Sequence, residues 1–240
     1  MKILVTGANR GIGLEFCRQL LGQEFGVQSL VATVRDPSKA EELQALASRS
    51  QSRLHIVALD LANDDNSSTH AAGLFDRIKA AGLSGSSLSF DGIINNAGVY
   101  LDEGASVSSF DFDAFRKSFE VNALGAFKVL KSLDSALTQR ARILQITSLM
   151  GSLSDNRSGG SFAYRASKTA LNMMNLCYAL ERKDVTSVVI HPGWVQTDMG
   201  GTNAPLAPKD SVAHMLKVFL KLNASDSGKF LNYDGSELPW

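Results

Sequence analysis

Tyr164 and Lys168 stand four residues apart in a stretch that reads as a helix, Phe162 to Arg182, and residues at that interval share one helical face. A phenol and an ammonium on one face make an acid–base pair. The cation favours phenolate and draws a tyrosine pKa down from about 10 toward working pH. Tyr164 is therefore a candidate general acid or base. Ser148 closes the apolar strand Ile143-Leu144-Gln145-Ile146-Thr147, where its hydroxyl is placed to hydrogen-bond a reacting oxygen. The pattern Tyr-x-x-x-Lys alone is common in ordinary amphipathic helices with a solvated lysine. Its meaning rests on the elements around it.

The first of these is at the start of the chain. Lys2-Ile3-Leu4-Val5-Thr6 is a short apolar strand, followed at once by Gly7-Ala8-Asn9-Arg10-Gly11-Ile12-Gly13 and by Leu14, Cys17, Leu20 and Leu21 at helical spacing. Strand, glycine turn and helix together form a cradle for a pyrophosphate, which sits against the free N–H groups at the helix start. A second strand, Ser29 to Val34, runs into Arg35-Asp36-Pro37, where dinucleotide folds read the ribose: an acid suits a free 2′-hydroxyl and an arginine a 2′-phosphate. Asp36 before Pro37 also reads as the N-cap of a helix over Ser38–Ala47. That leaves Arg35, with Arg10, to favour NADP(H), while NAD(H) stays open.

Further strands end on polar residues. Arg53 to Leu59 closes on Asp60-Leu61, a carboxylate for an adenine amino group or a surface acid in a turn. Ser67–Ala81 reads as a helix and Gly82–Ser89 as an exposed loop. Gly92-Ile93-Ile94 enters Asn95-Asn96-Ala97-Gly98, a source of side-chain amides and bare backbone for ligand or turn. Phe112–Gln139 carries apolar residues at helical spacing and is expected as one long helix. Asn122 and Gly125 in its middle are poor helix formers, so either something beyond propensity selects them or Asn122 is a satisfied core residue. Ser187–Ile190 is a sixth strand, leading into His191-Pro192-Gly193-Trp194-Val195-Gln196-Thr197. Gly200–Lys209 is a candidate lid, Val212–Leu222 a helix, Lys229–Asn232 a last strand, and the tail from Tyr233 irregular. Strands alternating with helices imply a parallel sheet covered on both faces, in one domain spanning 1–240, with ligands at the strands' carboxyl ends. The glycine loop, Arg35, Asp60, Asn95–Gly98, Ser148 and Pro192–Thr197 all sit there.

Composition narrows the class. Lys+Arg and Asp+Glu each total 24, so no net field favours nucleic acid or an anionic membrane as partner. His55, His70, His191 and His214 show no metal-ligand spacing, and no metal is expected. Cys17 and Cys177, in helices with apolar neighbours, read as buried hydrophobes in a reducing compartment. The apolar start is too short for a signal-peptide core, so a cytoplasmic location is expected.

Over essentially its full length the chain resembles the short-chain dehydrogenases/reductases. Thr6-Gly7-Ala8-Asn9-Arg10-Gly11-Ile12-Gly13 is similar to the family's nucleotide loop, Asn95-Asn96-Ala97-Gly98 to its N-N-A-G element, and Val121-Asn122 to its helical asparagine. Ser148, Tyr164 and Lys168 match the serine and Y-x-x-x-K, and Pro192-Gly193 and Thr197 the P-G-x-x-x-T segment. The resemblance implies a Rossmann-type doubly wound parallel sheet of about seven strands in the order 3-2-1-4-5-6-7. It also implies hydride transfer between NADP(H) and a small carbonyl or alcohol. Catalysis would fall to Asn122, Ser148, Tyr164 and Lys168, with Asn122 holding a relay water and Lys168 gripping the nicotinamide ribose. Cofactor contacts would come from Gly7, Asn9, Arg10, Gly11, Ile12, Gly13, Arg35, Asp60, Leu61, Asn96, Ala97, Gly98, Tyr164, Lys168, Pro192, Gly193, Val195 and Thr197. The wide Ser148–Tyr164 interval and the ending Phe230-Leu231-Asn232-Tyr233-Asp234-Gly235 are similar to the C-factor/Sniffer-like carbonyl reductases. Two alternatives accompany this reading: a non-catalytic nucleotide-binding signalling protein, and a 3-oxoacyl thioester reductase. Family members commonly pair through the helices corresponding to 112–139 and 162–182, so a homodimer is expected, with a tetramer as the alternative.

Overall fold

The computed structural model describes residues 1–62, 73–83 and 88–240. Among them, β1 (Lys2–Thr6), β2 (Ser29–Val34), β3 (Leu54–Ala58), β4 (Phe90–Asn95), β5 (Leu137–Ile146), β6 (Thr186–His191) and β7 (Phe230–Asn232) form one sheet. Its order is β3-β2-β1-β4-β5-β6-β7, and every neighbouring pair is parallel. Side chains alternate across a strand, so β1 sends Ile3 and Val5 into one core and Leu4 into the other. Helices α1 (Gly11–Leu20), α2 (Glu41–Arg49) and α7 (Pro208–Lys221) cover the first face with Leu14, Phe16, Leu43, Val212 and Phe219. Helices α3 (Leu74–Ala80), α5 (Ala126–Leu133) and α6 (Phe162–Glu181) bring Leu74, Ile78, Val129, Leu133 and Tyr178 to the second. Each fully buried Leu or Phe contributes roughly 1.5–3 kcal/mol, which is why both faces of these strands read as continuous apolar runs.

β1 lies between β2 and β4, so the chain leaves its carboxyl end on one face and that of β4 on the other. A crevice opens at such a reversal point. The candidate residues stand along it.

Several expectations need correction. The single helix over Phe112–Gln139 does not form. Instead α4 (Phe112–Phe119) runs into a π-helical turn, Glu120–Gly125, and then α5. Leu137–Gln139 belong to β5, because Leu137 pairs with Phe90 of β4. The turn answers the question about Asn122 and Gly125. Asn122 is 1% exposed and pinned by hydrogen bonds, while a Cβ on Gly125 would stand 2.8 Å from the Leu61 Cβ. The helix expected at Ser38–Ala47 is split: Asp36 Oδ1 accepts from the Ser38 N–H at 3.0 Å and starts a short 3₁₀ turn, Pro37–Lys39, ahead of α2.

Cys17 is buried but Cys177 is exposed. The tail is not irregular: Leu238 N donates to Phe230 O and Asn232 N to Ser236 O, both at 2.8 Å, folding it back along β7. Of the helix expected at Ser67–Ala81, α3 is present, and residues 63–72 lie outside the described residues, as do 84–87 of the Gly82–Ser89 loop. Among the described residues no helix is long and apolar enough to cross a membrane.

Candidate active site

The crevice is built by threonine and glycine. Thr6 Oγ1, at the end of β1, accepts from the N–H groups of both Asn96 and Ala97 at 3.0 Å. In return Asn96 Nδ2 donates to Thr6 O at 3.0 Å and to Gly7 O at 3.1 Å. The Asn96 amide thus ties the two loops together. This closeness dictates the glycines. A Cβ on Gly13 would lie 2.2 Å from Gly7 O, and Gly7, at φ +65°, has Ala97 Cα only 2.8 Å from where its Cβ would stand. Helix α1 starts at Arg10 with no side-chain cap and no acid in its first turn. Its first N–H groups and positive end therefore stay available to an anion, and the cradle fits a dinucleotide pyrophosphate.

The remaining nucleotide candidates distribute around it. Asn9 is exposed, Ile12 half-buried, and Gly11 faces Thr197, whose Cγ2 is 3.3 Å from the Gly11 Cβ position. Arg10 is exposed and forms an ion pair with Asp198. Arg35 is exposed, while Asp36 is committed to its Ser38 cap and, at 3.5 Å, to Lys39. Asp60 Oδ1 accepts from Ala62 N at 3.0 Å, and Leu61 is buried against the π-helical turn. Pro192 O accepts from Ser211 Oγ at 2.6 Å, Gly193 takes φ +84°, and buried Val195 bridges to Leu206. Gln196 N donates to Leu206 O at 2.9 Å and Trp194 Nε1 to Gly200 O at 2.7 Å, so the candidate lid is pinned back onto its own segment.

Ser148, Tyr164, Lys168 and Asn122 are all buried, between 1% and 8% exposed. Ser148 Oγ caps the short turn Leu149–Gly151, accepting from Met150 N at 3.1 Å. Lys168 Nζ donates to Ile146 O at 2.8 Å and lies 5.8 Å from the centre of the Tyr164 ring. Gly98 sits between two of them: its Cβ position is 3.2 Å from Asn122 Oδ1 and 3.4 Å from Lys168 Nζ. Asn122 Oδ1 accepts from Val99 N at 2.7 Å, and its Nδ2 donates to Val99 O at 2.9 Å and Ser167 Oγ at 3.0 Å. That side chain locks the segment after Gly98 to the π-helical turn, and its polar atoms are already engaged.

The electrostatics differ from the expected pairing. Burial pushes the Tyr164 phenol up to about 12; a hydrogen bond from Ser148 opposes the rise and the Tyr100 hydroxyl adds to it. Burial also brings Lys168 down to about 8. Desolvation, which disfavours charge on either group, dominates both shifts. At neutral pH the phenol therefore carries its proton, the state a proton donor requires.

Two residues escaped the sequence reading. Asp102 is 9% exposed and accepts from Ala163 N at 2.6 Å and Tyr164 N at 3.1 Å, across more than 60 positions of chain. The Tyr100 ring lies 4.4 Å from that of Tyr164, and its hydroxyl meets Ser161 Oγ at 2.7 Å. No local spacing marks either, because both act through long-range contact.

A glycine crevice at a sheet reversal, with a buried phenol, hydroxyl and amine beside it, defines a Rossmann-type oxidoreductase. Residues 1–205 match the family model for short chain dehydrogenases, and the chain belongs to that family. It is 44% identical over 154 residues to the C-signal protein of Myxococcus xanthus, covering 62% of this chain and 92% of that one. The structure aligns with carbonyl reductase Sniffer of D. melanogaster at a TM-score of 0.91 and 31% identity, covering 100% of this chain and 99% of that one. With the NADPH-bound carbonyl reductase from chicken fatty liver the TM-score is 0.86 at 34% identity, covering 100% and 98%. The chain is thus an oxidoreductase of carbonyl-reductase-like architecture.

Proposed function

We propose that the protein interconverts a small carbonyl compound and its alcohol with NADP(H), Tyr164 serving as general acid in reduction and general base in oxidation. The observation that carries this is the buried Tyr164 phenol with Lys168 Nζ 5.8 Å from its ring centre, the same Nζ standing 3.4 Å from the Gly98 Cβ position. The Gly7–Gly13 loop and the start of α1 would hold the pyrophosphate, and Arg35 with Arg10 the 2′-phosphate. Asp60 and Leu61 would flank the adenine, and Ala97, Gly98 and Pro192–Thr197 the nicotinamide side. The bound nicotinamide supplies or accepts the hydride. Ser148 Oγ would orient the carbonyl oxygen, and the Tyr164 hydroxyl would give it a proton as negative charge develops. Lys168, near its pKa at working pH, is suited to return a proton toward Tyr164. The Asn122 side chain holds Val99 and the π-helical turn in place beside Lys168, and an acceptor that these bonds leave open would hold the relay water.

The preference for NADP(H) is supported by the commitment of Asp36 to its cap, by the exposed Arg35 at the ribose position, and by the NADPH-bound neighbour. Oxidation of NADPH and NADH is to be followed over a panel of aldehydes, ketones and quinones. Turnover with NADPH at least about tenfold above NADH is expected, as one charge-assisted contact allows. NADPH binding without consumption of any panel member would favour the signalling reading that the likeness to the C-signal protein supports.

A homodimer is proposed as the working state. Phe112 (67% exposed), Met173 (60%) and Leu180 (61%) are uncovered apolar side chains on α4 and α6, whereas Tyr178 is buried with its hydroxyl on Asp134. Sedimentation at micromolar concentration should give twice the 25.8 kDa chain mass; a monomer alone would remove the proposal.

A further inference from the structure

The start of α6 is held in an unusual way. Its N-cap, Ser161, takes a left-handed conformation at φ +47° and offers no side-chain hydrogen bond to the helix. A serine there would ordinarily accept from an N–H of the first turn. Its hydroxyl instead faces the Tyr100 hydroxyl at 2.7 Å, and its own N–H donates to Ala105 O at 3.2 Å. The capping duty passes to Asp102, whose two carboxylate oxygens take the N–H groups of Ala163 and Tyr164 separately, at 2.6 and 3.1 Å. Asp102 is itself set by a turn in which Ala105 N donates to Asp102 O at 3.0 Å.

We infer that Tyr100 and Asp102 form a clamp, built from the segment that leaves the cofactor loop at Gly98, which sets the main chain and ring of Tyr164 against the reacting centre. Both are positioning residues: neither is assigned contact with substrate. The carboxylate grips the very peptide N–H of Tyr164, and the Tyr100 ring lies against the Tyr164 ring at 4.4 Å, tilted by 31°. The same segment is pinned at its other end by Asn122 through Val99. Cofactor loop, proton donor and π-helical turn thus share one connecting strap, and a shift in the strap moves the phenol relative to Ser148. Misplacement of a reacting group by about 1 Å costs on the order of a hundredfold in rate.

The inference rests on the assignment of Tyr164 as proton donor, so the test carries Tyr164→Phe as a reference. Asp102→Asn keeps one acceptor of two, Asp102→Ala keeps none, and Tyr100→Phe removes only the hydroxyl. The expected result is a graded fall in kcat, roughly fivefold for Asp102→Asn and Tyr100→Phe and about a hundredfold for Asp102→Ala. KM for the carbonyl substrate and NADPH affinity by fluorescence titration should stay within about twofold across the series, because the hydrogen bonds that these substitutions remove hold the start of α6 and not the nucleotide cradle. A purely structural cap would lower the unfolding temperature and leave kcat per folded molecule unchanged, and that outcome overturns the inference. Should the Asp102 variants not fold, Tyr100→Phe decides alone: unaltered kcat in that variant overturns the clamp. Full turnover in Tyr164→Phe would instead remove the proton-donor assignment beneath it.

Discussion

Tyr164→Phe is expected to bind NADPH as tightly as the wild type, within about threefold, and to turn over about a thousandfold more slowly, the middle of the range for a lost general acid. Tyr164 is 7% exposed and its ring lies against Tyr100 at 4.4 Å, so phenylalanine fills the same volume and keeps the aromatic contact. What disappears is one hydroxyl, with its proton and its partner Ser148. The loss of a single buried hydrogen bond costs about 1 kcal/mol of stability, too little to unfold a domain of this size. The nucleotide cradle of Gly7, Gly13 and Ala97 is built from main-chain contacts that the substitution does not touch. Stopped-flow single turnover with saturating NADPH separates binding from chemistry. Retained turnover would mean that the proton comes from solvent or another group.

Lys168→Met is expected to lose activity about a hundredfold and yet gain stability at neutral pH. Lys168 is 4% exposed and its pKa falls from 10.5 to about 8 by burial, so below pH 8 the folded protein carries a desolvated ammonium that the unfolded chain would hydrate. The cost is on the order of 3 kcal/mol. Loss of the hydrogen bond to Ile146 O returns roughly 1 kcal/mol of it. Between pH 8 and 10.5 the unfolded chain binds more protons than the folded one, so wild-type stability rises with pH across that window. The advantage of Lys168→Met should therefore be fully present below pH 8 and fade as pH climbs through 10.5. Urea unfolding of both proteins at about pH 7 and about pH 10.5 measures the difference directly; a gap that does not change with pH would refute the burial cost. A site that accepts this penalty in place of a methionine does so for chemistry.

The strands and the glycine crevice were legible because their signals are local. Alternating or continuous apolar runs end on Gly7, Arg35, Asp60, Asn96 and Ser148, and the observed sheet carries each of these at a carboxyl end. The broken helix was half legible. Asn122 and Gly125 flagged a departure from propensity, but the π-helical turn they serve depends on Val99 and Leu61, which lie elsewhere in the chain. The true end of that helix depends on Leu137 finding Phe90, again a distant partner. The Tyr164–Lys168 pair shows the same division. Spacing placed both on one helix, whereas the direction of their pKa values follows from burial, which only the packed structure determines. Asp102 was invisible for the strictest reason: its role is defined entirely by two N–H groups on another element.

Hydride transfer to a carbonyl carbon under the proton donor Tyr164 can be followed atom by atom, with NADPH carrying deuterium at its transferable position and a carbonyl compound that the panel shows to be consumed. One deuterium at the carbinol carbon of the alcohol product, formed by the wild type and lost in proportion to turnover in Tyr164→Phe, is the predicted result. Tight binding of the labelled cofactor with no deuterium in any product would contradict it.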